Sequence, residues 1–322
     1  MLGTPKTWHY GLVARWWAEF NEDGREIGYF QKYVERGQPA LDVACGTGRL
    51  LIPYLRAGLD VDGCDVSPDM IALCREKAER EGLSPTLFVH PMHELKTPRR
   101  YSTIFVCGGF GLGSDRERDT EALHRFFESL DAGGTLVLDN ENPYSSEWPW
   151  RYWVKDERTD IPRAWEPLDA AERRRGSDGA EYALQSRVVD LDPLEQLATY
   201  EMRAAMWREG ELVQEEEHTL HISFYFKNEL LLMLERAGFT DIVVHGDHRE
   251  EATHEGQRLH HFRREEAVRQ AAGAPRRTRA VAVDVNTHDG YRIRPRREFS
   301  PQIAGPNPAI PASNHQSMEV TR

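Results

Sequence analysis

Asp42, Gly46, Gly48 and Asp65 have the types and spacing to hold a small ligand. The run LDVACGTGRL at 41–50 reads as a buried strand that enters a glycine turn and continues as a helix. Glycine can take positive φ in such a turn, and its missing side chain lets a ligand approach the backbone. The helix start presents unpaired N–H groups. Asp65 closes the next apolar run, 61–64, where an acid can accept both hydroxyl hydrogens of a ribose. Capping the next helix is the other role open to Asp65, but Ser67, ahead of Pro68, already suits that task. Asp42 lies inside the first strand, where a carboxylate can serve a cationic amino group or brace the loop. A dinucleotide fingerprint would need a third glycine at position 51, which is Leu. A nicotinamide oxidoreductase is therefore disfavoured.

The elements that position these residues follow from periodicity. Short apolar runs at 40–44, 61–64, 86–89, 103–107 and 135–138 alternate with amphipathic stretches at 48–57, 68–81 and 117–130. That rhythm predicts an α/β domain with a mostly parallel sheet covered on both faces. Ahead of it, residues 1–38 read as a helical cap rich in aromatic side chains, among them Trp8, Tyr10, Trp16, Trp17 and Phe20. The first part of the α/β domain spans 39–144.

Residues 145–225 change character. Period-two alternation over 198–207 and 218–224, joined by Arg208-Glu209-Gly210, predicts an antiparallel hairpin, with a third strand at 182–191. This predicts a small sheet inserted into the α/β domain, expected to act as an acceptor lid on the resemblance given below. Residues 226–248 return to the α/β pattern: a helix through Leu230, Leu234 and Ala237, a stop at Gly238, and a sixth strand at 241–246. Residues 249–322 are polar and poor in large apolar groups, which predicts a disordered tail. The one strand-like run there is 280–285.

The residues at 42–48 and 65 resemble the class I S-adenosylmethionine-dependent methyltransferases, over roughly 39–140 and 226–247. The resemblance implies a Rossmann-like class I methyltransferase fold and S-adenosyl-L-methionine as cofactor. It implies that Asp42, Ala44, Cys45, Gly46 and Gly48 surround the methionine part, that Asp65 binds the ribose, and that Val66 flanks the adenine with Met70 nearby. It also implies that Met92 or His93 reaches the adenine edge where relatives often carry Asp, and that Cys107 and Gly108 face the cofactor's amino group. The insertion resembles that of small-molecule N-methyltransferases, in which an N-terminal Tyr closes over the cofactor; Tyr10 matches its place. The loop Gly108-Gly109-Phe110-Gly111-Leu112-Gly113 lacks the His of some amino-sugar enzymes, so no base is assigned. The family's sheet ends in a hairpin, and no seventh strand follows the sixth within a dozen residues. This predicts a bare sheet edge and a tail from about 250 foreign to the fold, as a shifted reading frame would produce.

In-line methyl transfer to a small-molecule acceptor follows as the expected activity, with nitrogen favoured as the attacking atom. The alternative is a non-catalytic S-adenosylmethionine-binding protein with a degraded C-terminus. Catalytic candidates are Tyr10, Glu141, Tyr144 and His221, with Asp139 and His218 as further pocket groups. Trp148, Trp150, Tyr152 and Trp153 could wall the acceptor or pack the insertion. Asn142-Pro143-Tyr144 reads as a turn at the pocket rim. The histidines at 245, 248, 254, 260 and 261 have no ligand spacing and read as solvated, so no metal is expected. The net charge of −12 disfavours nucleic acid. No apolar run approaches the ~20 residues of a membrane span. Four cysteines without paired spacing read as reduced thiols of a cytoplasmic protein. A homodimer is left open.

Overall fold

The computed structural model describes residues 9–141, 151–161, 164–246, 248 and 280–286. Two helices come first, α1 (Gly11–Phe20) and α2 (Glu26–Arg36). The α/β part follows as β1 (Ala40–Val43), α3 (Leu51–Arg56), β2 (Val61–Asp65), α4 (Pro68–Arg80), β3 (Leu87–Val89), β4 (Tyr101–Val106), α5 (Arg116–Ser129) and β5 (Leu130–Glu141). The insertion contributes β6 (Arg174–Arg175), β7 (Glu181–Asp192), β8 (Leu197–Arg208) and β9 (Glu211–Ser223). The chain returns through α6 (Lys227–Ala237), β10 (Thr240–Gly246) and β11 (Ala280–Asn286).

Local chemistry sets these boundaries. Ser67 caps α4 by accepting from the Met70 N–H at 3.2 Å, with Pro68 in the first turn. Asp115 caps α5 through the Arg118 N–H at 2.9 Å. Gly238, at φ 99°, ends α6 in the left-handed conformation. Glu209 and Gly210, both at positive φ, make the two-residue turn between β8 and β9, the geometry that suits a twisted hairpin.

The main sheet runs β10-β11-β5-β4-β1-β2-β3, with every described pairing parallel. Its core packs Leu41, Ile104, Phe126, Leu136 and Leu234 on one face and Phe30, Leu51, Tyr54, Phe105 and Val137 on the other. The second sheet, β6-β7-β8-β9, is antiparallel, and α1 packs on it through Leu12, Val13, Trp16, Trp17 and Phe20.

Two acids pin α1 in place. The Gly11 N–H donates to Asp69 at 2.8 Å and the Leu12 N–H to Glu216 at 2.9 Å. The orphan donors at the helix start are thus satisfied from α4 on one side and β9 on the other. The cap spans the junction of the two sheets.

The sheet edge differs from expectation. β11 lies between β5 and β10 and is parallel to both, so β5 is not bare. A hairpin would have made this strand antiparallel. Parallel neighbours require the chain to return to the starting end of β10 before β11 begins. The expected disorder elsewhere in 249–322 lies outside the described residues.

Candidate functional site

A cavity of about 750 Å³ opens where the tips of β1, β2, β4 and β5 meet α1 and the inserted sheet. This is the carboxyl end of a parallel sheet, where α/β folds place ligands. Asp42, Ala44, Cys45 and Gly46 line it from the first strand and its turn. Asp65 and Met70 line it from the second strand and α4, and Cys107 and Gly108 from the tip of β4.

The turn after β1 is shaped for a ligand. Ala44 and Gly46 both take left-handed φ, 61° and 54°. A Cβ built on Gly46 would meet no protein atom within 4 Å, so its open side belongs to the cavity. Asp65 holds the turn: its Oδ2 accepts from the Gly46 N–H at 2.9 Å and its Oδ1 from the Ser67 N–H at 2.8 Å. Gly48 is different. A Cβ there would lie 2.8 Å from Cys74 Sγ and Ile52 Cγ1, so this glycine serves close helix–strand packing behind the wall.

Asp42 is 2% exposed, and no described donor is hydrogen-bonded to its carboxyl. Burial pushes that carboxyl well above the ordinary carboxylate range, and Cys74 and Asp65 push it further. Asp139 stands across the cavity at the tip of β5. It accepts from the Gly108 N–H at 2.5 Å and from Cys107 Sγ at 3.5 Å. Five acids line the space, Asp23, Glu26, Asp42, Asp65 and Asp139, against three arginines, Arg25, Arg174 and Arg49, the last paired to Glu26 and 3.5 Å from Cys107 Sγ. The electrostatics favour a cationic guest. The donor set fits an adenosyl sulfonium: a bare turn, a ribose-facing acid and a buried acid for an ammonium.

Other expected site residues lie elsewhere. Tyr10 sits at the start of α1, and its neighbour His9 lines the cavity beside Asp65. Burial lowers the His9 pKa, opposed by Asp65. Val66 is exposed, and Met92 and His93 form a short 3-10 turn outside the cavity lining, with Met92 Cε 3.1 Å from where a Cβ on Gly109, a lining residue, would stand. His221 pairs across the hairpin with Thr199 Oγ1 at 3.1 Å, and His218 is buried 3.1 Å from Glu216. Tyr152 and Trp153 pack the insertion against Phe224. The Glu141 side chain, Tyr144 with the rest of the 142–144 turn, Trp148 and Trp150 lie outside the described residues.

Two histidines read as solvated are not. His248 has a 4% exposed side chain on the cavity wall, 3.5 Å from Asp139 and edge-on to Tyr29. His245 Nδ1 lies 2.9 Å from the Tyr29 hydroxyl. His248 lies outside any helical or strand period, whereas His245 falls within the sixth strand expected at 241–246. His254, His260 and His261 lie outside the described residues. Sequence reasoning also missed Trp16, Trp17, Phe20 and Arg174 as cavity wall; the aromatic crowding of the first helix was the available signal. All four cysteines are free, and no cluster of potential metal ligands occurs among the described residues. Among the described residues no helix is long and apolar enough to cross a membrane.

Comparison with known proteins is consistent with this geometry. Residues 40–134 match a family model described as a methyltransferase domain. The glycine/sarcosine N-methyltransferase of Halorhodospira halochloris is 28% identical over 150 residues, 41% of this chain and 52% of the relative. The chain spans about half the length of the curated relatives it matches. Among solved structures, the CcbJ methyltransferase of Streptomyces caelestis aligns with a TM-score of 0.52 at 21% identity, covering 72% of this chain and 87% of that one. A sugar N-methyltransferase of Streptoalloteichus aligns at 0.50 and 20% identity, covering 74% and 90%. The match over residues 40–134 is to a methyltransferase domain, and the fold around it is that of the aligned methyltransferase structures.

Proposed function

We propose that this chain is an S-adenosylmethionine-dependent methyltransferase that methylates a small-molecule acceptor, at nitrogen. The buried Asp42 carboxyl on the cavity wall, pushed toward its neutral form by burial, carries this reading. An acid kept in such a place is matched by a guest that brings its own positive charge. Asp65 would hold the ribose while it braces Gly46, and the Gly46 backbone would allow close approach. Cys107 and Gly108 would border the amino group at the tip of β4.

When bound, the cofactor supplies a sulfonium methyl, an electrophile that needs only an aligned nucleophile. Positioning of that kind can supply ~7–11 kcal/mol of a barrier. The acidic oxygens would stabilise positive charge as it passes to the acceptor. An amine must arrive neutral, and the Asp139–His248 pair is placed on the wall to take its proton, a contribution of ~10²–10⁴-fold. Attack by nitrogen also accords with the names of two relatives. These are the glycine/sarcosine N-methyltransferase and an amino-sugar N,N-dimethyltransferase of Streptomyces venezuelae, 29% identical over 100 residues.

Calorimetric titration with S-adenosylmethionine and S-adenosylhomocysteine tests the first half of the proposal; saturable binding is expected, and no heat with either overturns it. Incubation with an amine library tests the second half. Release of S-adenosylhomocysteine supports transfer, whereas binding without turnover on any acceptor leaves a carrier protein.

A further inference from the structure

Apart from the polar stretch from the end of α1 to the start of α2, Asn21, Asp23, Arg25 and Glu26, the cavity has two kinds of wall. At the tips of β1, β2 and β5 it is acidic. Toward the insertion it is made by Trp16, Trp17 and Phe20 of α1, by Leu184 and Met202 of the antiparallel sheet, and by Arg174. On this second wall Ser186 and Arg174 are the polar side chains besides the two indole N–H groups. Arg174 belongs to the aromatic surface. Its guanidinium lies 5.5 Å from the centre of the Trp16 ring and 5.9 Å from that of Phe20. Its ion-pair partner is Glu172, at 3.2 Å and largely exposed, a pairing too weak to keep the cation from a guest.

Such a wall suits one acceptor chemistry. A polyhydroxylated acceptor needs many fixed donors and acceptors, and each hydroxyl left unpaired on a dry surface is costly. Flat rings gain most from indole and thioether surfaces. A guanidinium held over aromatic faces adds a site for a planar anion, because its N–H fork matches a carboxylate. We propose that the acceptor is an aryl carboxylate, its ring against Trp16, Trp17 and Met202, its carboxylate on Arg174 and its nucleophile toward the acidic end. This assignment rests on the methyltransferase reading of the same cavity.

The test uses the full chain saturated with S-adenosylhomocysteine and three probes: 4-aminobenzoate, aniline and glucosamine. Calorimetry and quenching of tryptophan fluorescence report binding. The expected order places 4-aminobenzoate about tenfold tighter than aniline, with glucosamine weakest. Arg174→Gln erases the tenfold difference and Arg174→Lys restores part of it, while affinity for S-adenosylhomocysteine stays unchanged in both variants. Glucosamine binding more tightly than 4-aminobenzoate, or a preference that survives Arg174→Gln, overturns the proposal. Loss of aryl binding with S-adenosylhomocysteine still bound rejects this inference alone. Aryl binding to a protein that ignores S-adenosylhomocysteine rejects the methyl-donor reading and leaves the aryl site standing.

Discussion

Asp65 and Gly46 are joined by a hydrogen bond of 2.9 Å that ties the turn after β1 to the tip of β2. The same carboxylate also receives the Ser67 N–H, so one side chain shapes both the turn and the start of α4. Asp65→Ala is expected to weaken S-adenosylhomocysteine binding at least tenfold in calorimetry. It leaves two backbone donors without their acceptor, at a cost of ~1–3 kcal/mol each where water cannot reach them. Asp65→Asn keeps an acceptor oxygen and is expected to recover most of the stability but little of the affinity. Wild-type affinity in Asp65→Ala would remove this residue from the ligand site.

Asp42 gives a proton-linked prediction. Its buried carboxyl favours the protonated form in the empty cavity, first through desolvation and then through Cys74 and Asp65. A cationic amino group favours the ionised form. Binding should therefore release a proton, and affinity should rise with pH as long as free Asp42 remains protonated and the ligand's ammonium charged. Calorimetry in phosphate and in Tris, which differ in ionisation enthalpy, measures that proton. Asp42→Asn is expected to bind more weakly and release none. A wild-type affinity flat with pH would show that Asp42 does not meet the ammonium.

Much of this site was legible because a short stretch of chain encodes it. Asp42, Gly46 and Asp65 are set by two adjacent strand tips, and the parallel pairing of β1 with β2 alone brings them together. The hairpin of β8 and β9 was equally readable, since its period and its Glu209-Gly210 turn are local. What escaped depends on distant segments. His248 reaches the cavity because the chain, on leaving β10, carries it to within 3.5 Å of Asp139 on β5, two strands away, and Arg174 because the insertion packs with α1. The run 280–285 was readable as a strand, but its place in the sheet was not, because the fold expected from the resemblance ends in a hairpin and β11 instead lies parallel to both β10 and β5.

Asp119 gives the stability a pH dependence away from the site. It is 2% exposed on α5, accepts from the Tyr225 hydroxyl at 2.5 Å, and has a pKa raised to about 6 by burial, against hydrogen bonds from Tyr225 and Ser114. The unfolded chain releases this proton near pH 4. Between about pH 4 and pH 6 the folded state holds a proton that the unfolded state has lost, so stability falls as pH rises through that window. The fall from this group is on the order of 3 kcal/mol. Asp119→Asn keeps an acceptor for Tyr225 and is expected to flatten that slope in urea titrations at pH 4, 5, 6 and 7. An unchanged slope would place the ionisation elsewhere.

β11 makes the strongest structural prediction. Its backbone pairs with β5 from Thr135 to Glu141 and with β10 from Thr240 to Gly246. Ending the chain at residue 248 removes both ladders at once. β10 must then either close onto β5 in a new register or stand apart, and in either case strand edges lose their partners in a sheet built to be covered. The truncated chain is expected to lose more than ~3 kcal/mol in denaturant titration and to associate through the freed edge. Light scattering reads the second effect. A truncated protein with the full chain's stability and a monomeric mass would mean that 280–286 adds nothing to the sheet, and that the fold closes at β10 as the polar character of the tail suggests.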